Sequence, residues 1–105
     1  MLAFVSLSAN AGEIKGAGAR TCGSWLEERK QGHYFEKLSW MQGFISAFNV
    51  YVYTEHGGKN PNGIFGATDA DSLTAWMDKY CRENPLETVF SGTLVLIDEL
   101  QSKAK

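Results

Sequence analysis

The sequence predicts an all-α domain of four helices held by one disulfide. Apolar residues recur at helical spacing in successive segments, capping and turn signals separate those segments, and the two cysteines make an even pair. At 105 residues the chain is one domain at most. It is 44% hydrophobic and 21% charged, an ordinary globular balance that argues against disorder.

The first eleven residues read as a processing signal rather than as structure. Leu2-Ala3-Phe4-Val5-Ser6-Leu7-Ser8 is a short apolar stretch, and Ala9-Asn10-Ala11 is a small-x-small cleavage pattern. No basic residue precedes the apolar run, so 1–11 reads as the remnant of a signal peptide. Residues 12–105 are then a single helical domain with an ordered core from about 20 to 101. That reading implies export, and export makes Cys22 and Cys81 a disulfide. The bridge would close a loop of about 60 residues, worth on the order of 4 kcal/mol. In a reducing compartment the same two residues would be buried thiols.

Gly12–Gly23 is rich in glycine and alanine and reads as a loose lead-in. Ser24-Trp25-Leu26-Glu27 has the form of a capping box, with Ser24 as N-cap and Glu27 reaching back. The short helix it opens runs to about Gln31 and stops at Gly32, with Trp25, Leu26 and the stem of Arg29 inward. In the second segment, Tyr34–Tyr53, the residues Tyr34, Leu38, Met41, Ile45, Phe48 and Val52 form one helical stripe. Trp40, Phe44, Ala47 and Tyr51 add a second row beside it. Its β-branched and aromatic end, Val50–Thr54, is compatible with a strand as well.

Glu55–Ala67 carries Gly57-Gly58, Asn60-Pro61-Asn62-Gly63 and Gly66, a density of turn signals that makes a loop. Ile64-Phe65 would pin it to the core. Thr68 reads as N-cap of a third helix, with Asp69 and Asp71 in its first turn and Leu73, Trp76, Met77 and Tyr80 inward. Asn84-Pro85-Leu86-Glu87 combines an N-cap, a proline at N1 and an acid at N3, so the fourth helix begins there. Leu86, Phe90, Thr93, Leu94, Ile97 and Leu100 would face inward, and Gln101–Lys105 would fray.

Readable catalytic chemistry is scarce, and the chain reads as non-enzymatic. Histidines are His33 and His56 only, and neither sits in a metalloprotease pattern. Cys22, His33, His56 and Cys81 have the number and kind of zinc ligands, but their spacing matches no compact pattern, so no metal is expected. A Cys–His nucleophilic pair competes with the disulfide for the same cysteines. The acids pair as Glu27/Glu28, Asp69/Asp71 and Asp98/Glu99, which capping and solvent exposure explain. Asp78 reads as a surface charge. The glycine-rich loop lacks the ending of a phosphate cradle, and no cofactor is implied. A net charge of −2 with scattered basic residues gives no reason to expect nucleic acid, and no apolar run reaches the length of a membrane span.

Cys22-Gly23-Ser24-Trp25, the run Trp40-Met41-Gln42-Gly43-Phe44-Ile45-Ser46-Ala47-Phe48-Asn49 and Trp76-Met77-Asp78-Lys79-Tyr80-Cys81 followed by Asn84-Pro85-Leu86 carry a resemblance. Over roughly residues 20–101 the chain resembles small exported proteobacterial helical proteins. These are the Rap/Tai-type immunity proteins of type VI secretion and, more distantly, acid-stress chaperones of the HdeA kind. The resemblance implies a periplasmic helical domain with a Cys22–Cys81 bridge and commonly no enzyme activity. Immunity proteins of this sort generally have more than one disulfide, and here there is one pair of cysteines. The expected function is therefore binding of another protein in the periplasm of a Gram-negative bacterium, as an immunity or inhibitor-type protein. An acid- or envelope-stress chaperone, or a structural role, is the alternative, and a homodimer is open. The residues suited to partner contact are Tyr51, Tyr53, His56, Asn60, Asn62 and Phe65, because recognition surfaces favour exposed aromatics beside polar groups.

Overall fold

Four α-helices and no strand make up the described residues of a computed structural model, which are 13–104 except Asn62 and Ala67. The signal-peptide reading of 1–11 falls outside them. The helices are α1 (Cys22–Gln31), α2 (Phe35–Phe48), α3 (Ala70–Glu83) and α4 (Val89–Ala104). A 3-10 turn at Ala17–Ala19 precedes them, and a π-helical turn at Asn49–Tyr53 continues α2.

The lead-in is not loose. Gly18 is buried against Trp40, so closely that a Cβ on Gly18 would lie 2.3 Å from the indole ring. The Trp40 Nε1–H donates to the Lys15 carbonyl at 3.2 Å. Helix α1 begins earlier than Ser24: Thr21 is its N-cap, and the Thr21 hydroxyl accepts from the Ser24 N–H at 3.1 Å. The capping box at Ser24–Glu27 loses because Thr21 is held in extended geometry by a long-range pairing. Thr21 and Thr88 form an isolated antiparallel bridge. Around it the Cys22 N–H donates to the Glu87 carbonyl at 2.8 Å, and the Val89 N–H to the Arg20 carbonyl at 2.9 Å.

The same bridge delays α4. Asn84-Pro85-Leu86-Glu87 folds as a turn, closed by the Glu87 N–H on the Asn84 carbonyl, rather than as a first helical turn. The helix starts at Val89, where the Thr88 hydroxyl accepts from the Ser91 N–H. Leu86, expected inside, is 94% exposed as a result. Nor does the C-terminal end fray where expected, since α4 runs through Gln101 to Ala104.

Gly32 ends α1 as foreseen, in the left-handed conformation at φ 78°. Helix α2 buries Leu38, Met41 and Ile45 of its stripe, and the strand alternative at its end does not form. At α3 the N-cap is Asp69, not Thr68: its carboxylate accepts the Ser72 N–H at 2.8 Å, stronger than a hydroxyl at a helix N-terminus. That bond holds the Asp69 carboxyl below the usual range.

The core gathers Trp25, Met41, Ile45, Leu73, Met77, Val89, Leu96 and Ile97 around the Cys22–Cys81 disulfide, whose two residues are fully buried. Ile64 pins the long loop onto it, at 2% exposure, as its sequence suggested. Gly92 lets α4 approach α3, because a Cβ there would stand 2.7 Å from Met77 Sδ and 2.8 Å from the Tyr80 ring. Burial, with Glu87 nearby, pushes the Tyr80 phenol above its ordinary value.

Asp78 is no surface charge. Its carboxylate accepts the indole N–H of the buried Trp25 at 2.8 Å and both Nε and Nη2 of Arg29, at 3.0 and 2.9 Å. The Arg29 guanidinium also lies 4.6 Å from the centre of the Tyr34 ring. Burial works against ionising Asp78, but the bonds from Arg29 and Trp25 and the charges of Arg29 and Arg82 outweigh it. Its carboxyl therefore sits below the usual range, and the Arg29 guanidinium above its own. Lys37, 2% exposed, reaches Glu28 at 2.7 Å across the α1–α2 turn. Two ion pairs thus tie α1 to its neighbours.

Candidate functional site

The π-turn walls a large concavity that holds several of the residues singled out from the sequence. Asn49 uses its carbonyl for the wide i→i+5 bond from the Thr54 N–H, at 3.3 Å, and for the Thr54 hydroxyl at 2.8 Å. Such turns are rare and recur at functional sites. The Asn49 side-chain oxygen accepts the Ile64 N–H at 2.9 Å, fastening the far side of the loop. Gly63 makes this possible: its φ is 63°, and a Cβ there would meet the Asn49 amide at 2.7 Å.

Tyr53 organises the near side. Its phenol accepts the Asn60 N–H at 3.3 Å, its carbonyl accepts the Gly58 N–H at 2.8 Å, and Gly58 lies against its ring, where a Cβ would be 2.3 Å away. His56 Nδ1 is 2.8 Å from the Val52 carbonyl. A carbonyl only accepts, so Nδ1 is the donor in this contact.

Between the π-turn, the loop and the end of α4 lies an open groove of ≈ 730 Å³. Phe48, Val52, Tyr53 and Ala104 give it apolar walls, and His56, Lys59, Asn60 and Gln101 add polar groups. The lining has no carboxylate and no thiol, and its one hydroxyl is the Tyr53 phenol. It is therefore equipped to hold an apolar or mixed segment, not to run acid–base chemistry between paired carboxylates.

Of the six residues singled out for contact, Tyr53, His56 and Asn60 line this groove. Phe65 lines a smaller recess of ≈ 210 Å³ next to it, which shares Asn60 and Ala104. Tyr51 is 74% exposed and outside the groove lining, and Asn62 lies outside the described residues. The sequence reading missed the side chains of Phe48, Val52, Lys59, Gln101 and Ala104. The first two had been placed in the buried stripe: Phe48, at the end of α2, is half-buried against the core, while Val52 is moved outward by the π-turn, which has no compositional signature. The zinc quartet is ruled out, because Cys22 and Cys81 are bonded to each other. Among the described residues no group of three or more histidine, cysteine, aspartate or glutamate side chains is placed to hold a metal ion. No helix of the described residues is long and apolar enough to cross a membrane.

No family model, no curated protein and no solved structure matches this chain.

Proposed function

We propose that this chain is a small, non-enzymatic periplasmic protein that binds another protein, as an immunity or inhibitor-type partner of a secreted effector. The groove carries the reading: an apolar trough with an imidazole, an ammonium and two amides, built from a π-turn and a pinned loop. A loop or helix end of a partner has the matching chemistry, an apolar side chain flanked by hydrogen-bonding or acidic groups. The disulfide is in keeping with an oxidising compartment, and the apolar run before Ala9-Asn10-Ala11 with export to it.

The test is affinity capture from a native envelope extract with the oxidised chain at pH 7 and near pH 3. The wild-type chain is compared with Val52→Asp, which places a charge on the groove wall without touching the core. One stoichiometric partner at pH 7, lost with Val52→Asp, is the expected outcome. A partner retained by Val52→Asp would move recognition elsewhere on the surface.

One observation favours a second reading, an acid-stress chaperone. Asp78 and Glu28 join α1 to α3 and α2 through carboxylates, and protonating them would loosen these contacts. That reading predicts many weak clients near pH 3, with apolar-dye binding that rises on acidification. A flat dye titration from neutral pH to about pH 2 would sink it.

A further inference from the structure

The turn between α3 and α4 ends in an apolar tip. Leu86 is 94% exposed there, and Pro85 and Glu87 beside it are exposed as well. The backbone under the tip is firmly held. The Glu87 N–H closes the turn on the Asn84 carbonyl, the Asn84 side-chain amide donates to the Tyr80 carbonyl at 3.0 Å, and the Glu87 carbonyl accepts the Cys22 N–H. A lone exposed leucine is ordinary on a protein surface. One carried on a fixed turn loses little freedom when it is covered, which lowers the cost of inserting it into another surface. Glu83 and Glu87 flank the tip, and residues 83–87 contain no base. Arg82, just before them, lends its charge to Asp78.

The groove has the complementary character. Phe48 and Val52 make it apolar, Lys59 and His56 line it, and no acid does. Among the described residues neither Lys59 nor Glu87 makes an ion pair. We infer that the groove of one copy of the chain receives Leu86 of a second copy, with Glu87 of that copy set against Lys59. The opposite signs select this occupant, since an acid beside the inserted leucine meets an unpaired ammonium and no like charge in the lining. At ≈ 730 Å³ the groove has room for Pro85 and Leu86 together. Tip and groove lie at the two ends of α4, whose 16 residues span roughly 24 Å, so a tip cannot enter the groove of its own chain. Two different patches meet, which makes the contact heterologous: copies add head to tail rather than about a two-fold axis. Association of this kind covers the groove and leaves the free chain as the form that binds another protein. It goes beyond the reading above, with which it shares the groove but not the occupant.

Sedimentation velocity of the oxidised chain from about 5 to 500 µM at low salt tests it. The wild type should associate with rising concentration. Leu86→Asp and Val52→Asp should each weaken that association at least ~100-fold, with helical signal and thermal midpoint unchanged. Mixed in equal amounts, the two variants should form a 1:1 dimer that grows no further, because the first keeps the groove and the second keeps the tip. Lys59→Glu, an exposed change, is the second groove variant: it should weaken association about 10-fold, and adding Glu87→Lys on the same chain should restore it. A wild type that stays monomeric at the highest concentration overturns the inference. So does a Leu86→Asp chain that associates like the wild type, or a variant mixture without the dimer. Leu86→Asp leaves the groove open, so its capture of an envelope partner at pH 7 reads the proposed function separately from self-association.

Discussion

Replacing Asp78 with alanine takes the acceptor from three N–H donors at once, and the costs differ. The indole N–H of Trp25 would be left without an acceptor in a side chain that is fully buried. That is a full desolvation penalty of about 1–3 kcal/mol. Arg29 is 31% exposed and can turn toward water, so losing its pair adds at most about 1 kcal/mol. The expected loss is therefore about 3 kcal/mol, or about 10–20 °C in thermal midpoint for a domain of this size. Asp78→Asn separates the two terms. Its amide oxygen still accepts from Trp25, while its amide nitrogen faces Arg29, so the loss should be only about 1 kcal/mol. The assay is urea unfolding of the oxidised protein at pH 7, followed by tryptophan emission and far-UV dichroism. An alanine variant that loses less than about 1 kcal/mol at unchanged denaturant slope would refute the reasoning. So would equal losses for the two variants, because the argument rests on the indole N–H.

Acid stability follows from the same carboxylate and from Asp69. Both have folded values below the ordinary aspartate value, so their stabilisation is complete above it and is lost as pH falls through the lower folded values. The thermal midpoint should therefore fall from about pH 5 toward pH 2, and more gently in Asp78→Asn. Equal slopes for the two proteins would assign the acid loss to other groups. Replacing Cys22 and Cys81 together by alanine should cost about 4 kcal/mol, set by the 59-residue separation, in urea unfolding of the paired variant against the oxidised chain. A cost below about 1 kcal/mol would mean that the unfolded chain is already compact. Gly18→Ala should destabilise by about 1–3 kcal/mol and shift tryptophan emission, since its Cβ must displace the Trp40 ring. An unchanged midpoint would show that the 3-10 turn moves aside freely.

The sequence was readable where the deciding interactions are local. Gly32 ends α1 because a left-handed residue can close the last turn, and that follows from the residue type alone. The helical stripe through Leu38, Met41 and Ile45, and the anchoring of the loop by Ile64, were legible for the same reason. Misreadings cluster where distant segments meet. Ser24 and Pro85 both carry sound local signals, yet both yield to one contact, the pairing of residues 20–22 with 87–89. No local pattern encodes that pairing. Asp78 looked like a surface charge because its partners, Trp25 and Arg29, lie about fifty residues away. In the site, half of the predicted contact residues line the groove, because glycine and asparagine mark the loop unmistakably. The groove's other wall, Phe48 and Val52, was hidden by the periodicity that made α2 so clear.

The π-turn at Asn49–Tyr53 amounts to a single extra residue threaded into an otherwise regular helix. Winding these same residues as a regular α-helix, with none removed, would turn everything beyond them by about 100°. Val52 would rejoin the stripe of Leu38, Met41 and Ile45, and the Asn49 clasp on Ile64 would open. The groove thus exists by virtue of a frame within the helix. The same residues wound as an unbroken α-helix would keep the four helices and lose the recess.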